Sequence, residues 1–292
     1  MQALNIVRYE LNGDVHVGLH TDGAVVEVEG VSALAQLWHL PATQLRARLS
    51  RSVSGPVVPL SGVRLLAPVD ASTEVWACGV TYRESREARI EDSERAADVY
   101  SLVYDAQRPE LFFKSVPWRV RGPGAPIGIR ADSEVDVPEP ELAVVINRFG
   151  EIVGYTVCND VSSRSIEGAN PLYLPQAKTY YGSCALGPWI TPAWDVSDPY
   201  ALAIDLSIER DGREHWRGRT STSSLHRRLD ELVGYIMRGD VHPDGAVLST
   251  GTGLVPPAPF TLADGDTVRI TIDAIGTLTN PVRRGIPQAE AS

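Results

Sequence analysis

Cysteine is scarce: Cys78, Cys158 and Cys184 are the only three in 292 residues, and no two form a Cys-x-x-Cys pair. An odd count cannot close entirely into bridges within one chain, so neither a disulfide scaffold nor a thiolate zinc site is expected. Long apolar runs are missing as well. Stretches such as Leu142–Ile146 fall far short of the roughly 20 residues a membrane helix needs. There is no run of Lys and Arg, and 27 basic against 37 acidic side chains leave a formal charge of -10. So acidic a chain repels phosphate backbones, and no nucleic-acid partner is expected. No convincing Gly-x-Gly-x-x-Gly or P-loop occurs, which argues against a nucleotide cofactor. The opening residues, Met-Gln-Ala-Leu-Asn-Ile-Val-Arg, lack the basic-then-apolar pattern of a secretory leader. A cytoplasmic location is the expectation. With 43% hydrophobic and 22% charged residues, the composition is that of a folded globule rather than a disordered chain.

Residues 1–30 alternate as short strands do, with turns at Asn12-Gly13-Asp14 and Thr21-Asp22-Gly23. Val31 to Ser50 reads as a helix that Pro41 breaks or restarts, and Ser52–Leu60 reads as a linker. A boundary near residue 70 makes 1–70 a small N-terminal α/β domain and 71–292 a second domain. Thr81–Asp105 is dense in Arg, Glu and Asp. The plain reading is a solvated helix with i,i+4 charge pairs; the alternative is a lid over residues 81–108. From Glu110 onward short strands dominate: Leu111–Lys114, Leu142–Asn147, Gly154–Asn159, Leu202–Glu209, Ala246–Ser249 and Val268–Ile275. One helix interrupts them, from about Ser223 to Arg238, with Leu225, Leu229, Leu232, Val233 and Ile236 on one face. Its Thr-Ser-Ser start supplies N-caps and Gly239 a stop. The fold class is α+β and β-rich.

Three stretches carry chemistry. Pro138-Glu139-Pro140-Glu141 opens an apolar strand, and carboxylates in such a place need a partner, because an unpaired buried charge costs several kcal/mol. Two residues apart on an extended chain, Glu139 and Glu141 project from one face, unless both simply meet solvent at a strand start. Asp160 ends the next apolar strand, where it can join them. Three carboxylates make an all-oxygen site for Mg2+, with Mn2+ or Ca2+ as substitutes. Zinc is disfavoured, since His16, His20, His39, His215, His226 and His242 all lie away from these motifs in sequence. Lys178 can neutralise such a site or serve as a base, although alone it reads as a surface cation. Thr250-Gly251-Thr252 follows a short apolar strand, as an anion-holding turn or an ordinary one would.

Together the motifs resemble the fumarylacetoacetate hydrolase family over most of residues 71–285. The matching pieces are Gly79-x-x-Tyr82-Arg83, Phe113-Lys114, Glu139-x-Glu141-Leu-Ala-Val-Val-Ile, Gly154-Tyr-Thr-x-x-Asn159-Asp160-Val-Ser-x-Arg164, Lys178, Leu186-Gly-Pro-Trp189, Thr250-Gly-Thr252 and Gly276-Thr-Leu-x-Asn280-Pro. The resemblance implies a rolled mixed β-sheet domain, a divalent metal on Glu139, Glu141 and Asp160, and a dimer or tetramer of like chains. It also implies that Lys178 faces the substrate. Where family hydrolases carry Gly-x-Asn-Tyr-x-x-His-x-x-Glu, this chain has Thr81 for the asparagine and Ser85 for the histidine. A serine hydroxyl without a partner is no general base near neutral pH, which weighs against water-driven carbon–carbon cleavage.

The variant is similar to a branch that dehydrates 2-keto-3-deoxy sugar acids, such as those derived from D-arabinonate or D-xylonate, to 2-oxoglutarate semialdehyde. On that likeness Lys178 is the C3 base, and Glu110 or Glu87 is the acid that helps water leave. Ser85 binds the sugar hydroxyls, Tyr82 and Arg83 are further substrate-binding residues, and Thr250, Gly251 and Thr252 hold the carboxylate. The expected partner is a small 2-keto acid. The alternatives are an acylpyruvate (fumarylpyruvate-type) hydrolase or oxaloacetate decarboxylase with another base, and a non-catalytic ligand-binding protein on the same fold.

Overall fold

The computed structural model describes residues 4–51, 57–82 and 102–286. An eleven-stranded sheet organises them. Its order is Val57–Pro59, Ala24–Glu27, Asp14–Thr21, Asn5–Leu11, Cys184–Pro192, Ile152–Asp160, Pro140–Ile146, Ala246–Ser249, Glu74–Gly79, Glu110–Ser115, with Arg64–Leu65 paired to Asn5–Leu11 off this path. A five-stranded sheet packs against it, in the order Arg213–Ser221, Ala203–Arg210, Thr267–Ile272, Gly276–Arg284, Ile127–Ile129. Ser162–Ser163 and Asp136–Val137 form a separate short pair. Two pairings are parallel, Ala246–Ser249 with Glu74–Gly79 and Gly276–Arg284 with Ile127–Ile129, so the sheets are mixed. The architecture is the β-rich α+β class expected.

The strand Pro140–Ile146 fixes the centre. All seven of its residues are buried, and alternation sends them into two cores. Leu142, Val144 and Ile146 join Leu206, Ile270, Leu232 and Ile236 on the side of the five-stranded sheet. Ala143 and Val145 join Leu34, Leu37, Trp38 and Leu45 on the other side. Each fully buried aliphatic side chain contributes about 1.5–3 kcal/mol, and a slip of one residue would exchange the two faces. That double burial holds the strand in one register and places Glu141 with it.

Residues before 70 are joined to this sheet edge to edge, through Ile6 opposite Ile190. Ile6, Leu19, Trp38 and Leu49 share one core with Val75, Val145 and Leu186. The turns at Asn12-Gly13 and Asp22-Gly23 form as read, with positive φ at all four residues, the geometry of tight hairpins. The helix read over 31–50 is two, Ala35–Trp38 and Ala42–Arg51, and the Pro41 carbonyl accepts from Leu45 N–H at the restart.

Two readings need correction. Val57–Pro59, assigned to a linker, is an edge strand paired with Ala24–Glu27; residues 52–56 lie outside the described ones. The helix expected from Ser223 begins at Leu229. Thr222–Ser224 instead form a 3-10 turn capped by Ser221 Oγ. Leu225 and Arg228 are extended. Leu225 fits the helical spacing, yet the chain there is drawn onto another segment: Leu225 bridges Tyr82, and His226 N–H donates to Thr81 O at 2.9 Å. Of the segment read as charged helix or lid, residues 83–101 lie outside the described ones, and 102–105 form a helical turn.

Candidate active site

The site forms where two antiparallel strands end side by side. Pro140 stands opposite Asn159 and Glu141 opposite Cys158. Asp160 N–H donates to Glu139 O at 3.0 Å, and Glu139 N–H to Asn159 Oδ1 at 3.2 Å. This pairing delivers Glu139, Glu141 and Asp160 to one point. One carboxylate oxygen from each lies within 4.8 Å of the other two, and all three residues are buried. Among the described residues no other such group of His, Cys, Asp and Glu converges.

Lys178 closes the site from the end of the helix Leu174–Lys178. Its ammonium is 2.6 Å from Glu139 Oε2, 3.2 Å from Asp160 Oδ2 and 2.5 Å from Ser162 Oγ. Lys114 arrives from the edge strand Glu110–Ser115. It lies 2.5 Å from Asp160 Oδ1 and also donates to Val161 O and the Lys178 carbonyl. Arg164 is 3.8 Å from Glu139 and 3.3 Å from Glu167, so its charge is divided. Ser249 Oγ at 2.5 Å and Gly251 N–H at 2.7 Å both donate to Glu141 Oε2.

Three carboxylates thus face two ammonium groups, and the shortfall of positive charge falls on Glu141. Burial pushes its carboxyl well above the ordinary range, helped by Asp160, Cys158 and Glu139. At Asp160 burial works upward too, but Lys114 and Lys178 together hold it below the ordinary value. An all-oxygen, buried set at this spacing, short of one cation, suits a hard divalent ion.

Glu110 reaches the same region. Alternation along its strand puts Glu110, Phe112 and Lys114 on one side. Phe112 lines the small cavity over the carboxylates together with Gly79, Val80 and Thr252. Gly79 pairs with Glu110, and a Cβ at Gly79 would run into the Glu110 carboxylate. The glycine, which lines the cavity, leaves room for that carboxylate beside it, although Glu110 itself is not among the lining residues.

The remaining expected residues are placed less simply. Tyr82 is fully buried, with its ring against Gly253. Arg83, Ser85 and Glu87 lie outside the described residues. Thr250 Oγ1 donates to Leu142 O at 2.7 Å, and Thr252 Oγ1 to Pro140 O at 2.9 Å. With the Gly251 N–H on Glu141, the Thr250–Thr252 turn braces the strand Pro140–Ile146, while Gly251 and Thr252 also line the cavity. Sequence reasoning assigned no role to Lys114, Ser162 or Ser249. A signal for the first was present: of 27 Lys and Arg residues only two are lysines, 114 and 178, and both are buried here.

The family model for the C-terminal domain of fumarylacetoacetate hydrolase matches residues 74–283. The chain belongs to the fumarylacetoacetate hydrolase family. Within the family, a probable 2-keto-3-deoxyxylonate dehydratase of Haloferax volcanii is 57% identical over 215 residues, 74% of this chain and 73% of its own. The 2-dehydro-3-deoxy-D-arabinonate dehydratase of Saccharolobus solfataricus is 44% identical over 228 residues, 77% of this chain and 76% of its own. A solved structure, 2-keto-3-deoxy-D-arabinonate dehydratase complexed with magnesium and 2,5-dioxopentanoate, superposes with a TM-score of 0.82 at 36% identity. That match covers 96% of this chain and 98% of the other. No helix among the described residues is long and apolar enough to cross a membrane.

Proposed function

We propose that this protein is a Mg2+-dependent hydro-lyase that converts a 2-keto-3-deoxy-pentonate, of the D-arabinonate or D-xylonate type, to 2-oxoglutarate semialdehyde. The observation that carries the reading is the buried Glu139–Glu141–Asp160 group with Lys178 against it, on a chain this similar to two named sugar-acid dehydratases.

Glu139, Glu141 and Asp160 would hold the ion. When bound, Mg2+ supplies polarisation of the 2-keto group, which acidifies the C3 hydrogens. Lys178, once it has given up its own ammonium proton, takes the C3 proton on Nζ. Its three neighbours, Glu139, Asp160 and Ser162, hold the nitrogen at one point on the cavity wall. Glu110 gives the proton with which the C4 hydroxyl leaves as water, its carboxylate being held over Gly79. Proton shifts then carry the C5 alcohol to an aldehyde, so atoms balance with water as the sole co-product and no redox partner is needed. Thr252 and Gly251, which line the same cavity, would meet the substrate carboxylate. Residues 71–292 form the catalytic unit, with 1–70 appended to it. The working form is a cytoplasmic homo-oligomer, dimer or tetramer, which light scattering on the purified protein distinguishes.

The test is to offer several 2-keto-3-deoxy sugar acids with Mg2+ and follow the semialdehyde with a coupled dehydrogenase. Turnover that stops with EDTA and returns with Mg2+ supports the reading. Pyruvate released from an acylpyruvate or from oxaloacetate, with no aldehyde from any sugar acid, replaces it with a hydrolase or decarboxylase. Binding without turnover replaces it with a ligand-binding protein.

A further inference from the structure

The chain meets nearly all its need for positive charge with arginine, and the two lysines it has are both in the site. Lys178 has a role in the reading given above. Lys114 has none, and it is not among the residues that line the cavity.

Its surroundings are specific. The side chain is fully buried, and its ammonium meets Asp160 Oδ1 at 2.5 Å, Val161 O at 3.3 Å and the carbonyl oxygen of Lys178. Of its three partners, the Val161 and Lys178 carbonyls accept hydrogen bonds, and the Asp160 carboxylate pairs with the charge. The partners come from distinct places: the carboxylate at the end of Ile152–Asp160, the backbone just after it, and the last residue of the helix Leu174–Lys178. Nearby contacts tie the same pieces. Ser183 Oγ donates to Lys178 O at 2.9 Å, and Thr179 Oγ1 to Phe113 O at 3.3 Å. A guanidinium is planar, wider and forked, so it does not substitute for a compact three-donor group in a closed space.

We propose that Lys114 is a positioning residue for the reaction: it joins Asp160 to the backbone of Lys178 from behind, so that the metal-binding carboxylate and the acid–base nitrogen keep one relative geometry. This rests on the reading of the site given above. Asp160 is the shared element, with one oxygen on each lysine. Loss of Lys114 takes the charge from Asp160 Oδ1 and leaves the Lys178 carbonyl with Ser183 Oγ alone, so both the ion and the proton transfer lose their alignment. Partners one step removed from a metal typically matter by about 10- to 100-fold in affinity or activity.

The experiment uses the full chain with Lys114→Met, which keeps the stem and removes the donors, and Lys114→Arg, which keeps the charge. Titration with Mg2+ alone should give a Kd raised about 10- to 100-fold in both variants. At saturating Mg2+, kcat should fall by a similar factor while KM for the sugar acid stays within about threefold, the pattern of lost alignment rather than lost substrate binding. Wild-type Mg2+ affinity and kcat in either variant, or a loss confined to the melting temperature, overturns the proposal. Should the variants fail to fold, the unmodified protein still decides. With two lysines in the chain, ε-15N-lysine labelling yields two side-chain ammonium signals. Both should exchange slowly with water, and both should move when Mg2+ is added without substrate. A rapidly exchanging second lysine, or one indifferent to Mg2+, overturns it. If the wild-type protein turns over no sugar acid, the functional reading fails by itself, while the Mg2+ and NMR arms still judge Lys114.

Discussion

Lys178 Nζ lies 2.6 Å from Glu139 Oε2, and both residues are buried. Breaking a buried pair from one side leaves an uncompensated charge and typically costs about 3–5 kcal/mol. Lys178→Met should therefore melt well below the wild-type protein in EDTA. Mg2+, by replacing the missing positive charge, should raise its melting temperature more than it raises that of the wild type. Turnover should fall by about 100- to 10,000-fold, the usual contribution of a positioned acid–base group. Thermal melts with and without Mg2+, beside steady-state assays, check both halves. Near-normal turnover would remove the lysine from the mechanism.

Glu141 sets the pH dependence of metal binding. Burial and its acidic neighbours push its carboxyl well above the ordinary range in the ion-free protein. A cation must displace that proton, so Mg2+ affinity should fall as the pH is lowered through the raised value, and binding should release protons. Calorimetric titrations in buffers of different ionisation enthalpy measure the release. Glu141→Gln should weaken Mg2+ by at least about tenfold, since even partners one step removed from a metal matter by that much. It should also flatten the pH dependence.

Gly79→Ala tests Glu110. The added methyl would strike the Glu110 carboxylate and displace it while leaving the carboxylates of Glu139, Glu141 and Asp160 alone. Misplacing a reacting group by about 1 Å can cost about 100-fold. The expected result is a lowered kcat with Mg2+ affinity unchanged. An unchanged kcat would show that Glu110 is not the acid.

The convergence of Glu139, Glu141 and Asp160 was legible because its cause is local. Acids at the start of an apolar strand are rare without a reason, and period-two geometry says which of them share a face. Burial on both faces then held that strand in register. Lys114 could not be placed the same way, because its partners Asp160, Val161 and Lys178 come from distant segments that meet only in the folded sheet. The same limit applies to the Thr250–Thr252 turn, whose donors go to Leu142, Pro140 and Glu141 on the neighbouring strand. Leu225 misled for a third reason. It fits a helical period, but a bridge to Tyr82 outweighs the local preference.

Arg227 offers a check on the fold beside the site. Nearly buried, it donates to the carbonyls of Val103, Ala106 and Gln107 and pairs with Glu231 at 3.0 Å. Arg227→Met removes these hydrogen bonds, each contributing about 0.5–1.5 kcal/mol net, while Gln107 O keeps the Tyr235 hydroxyl as a donor. Urea unfolding should show a lower midpoint with an unchanged slope. A midpoint equal to the wild type would mean that the anchor carries no weight.

Diffraction from crystals soaked in Mn2+, recorded for its anomalous signal, tests the arrangement most directly. The account predicts one strong peak within bonding distance of carboxylate oxygens from residues 139, 141 and 160, lost in the Glu141→Gln protein. A peak elsewhere, or none at this point at saturating Mn2+, would contradict it.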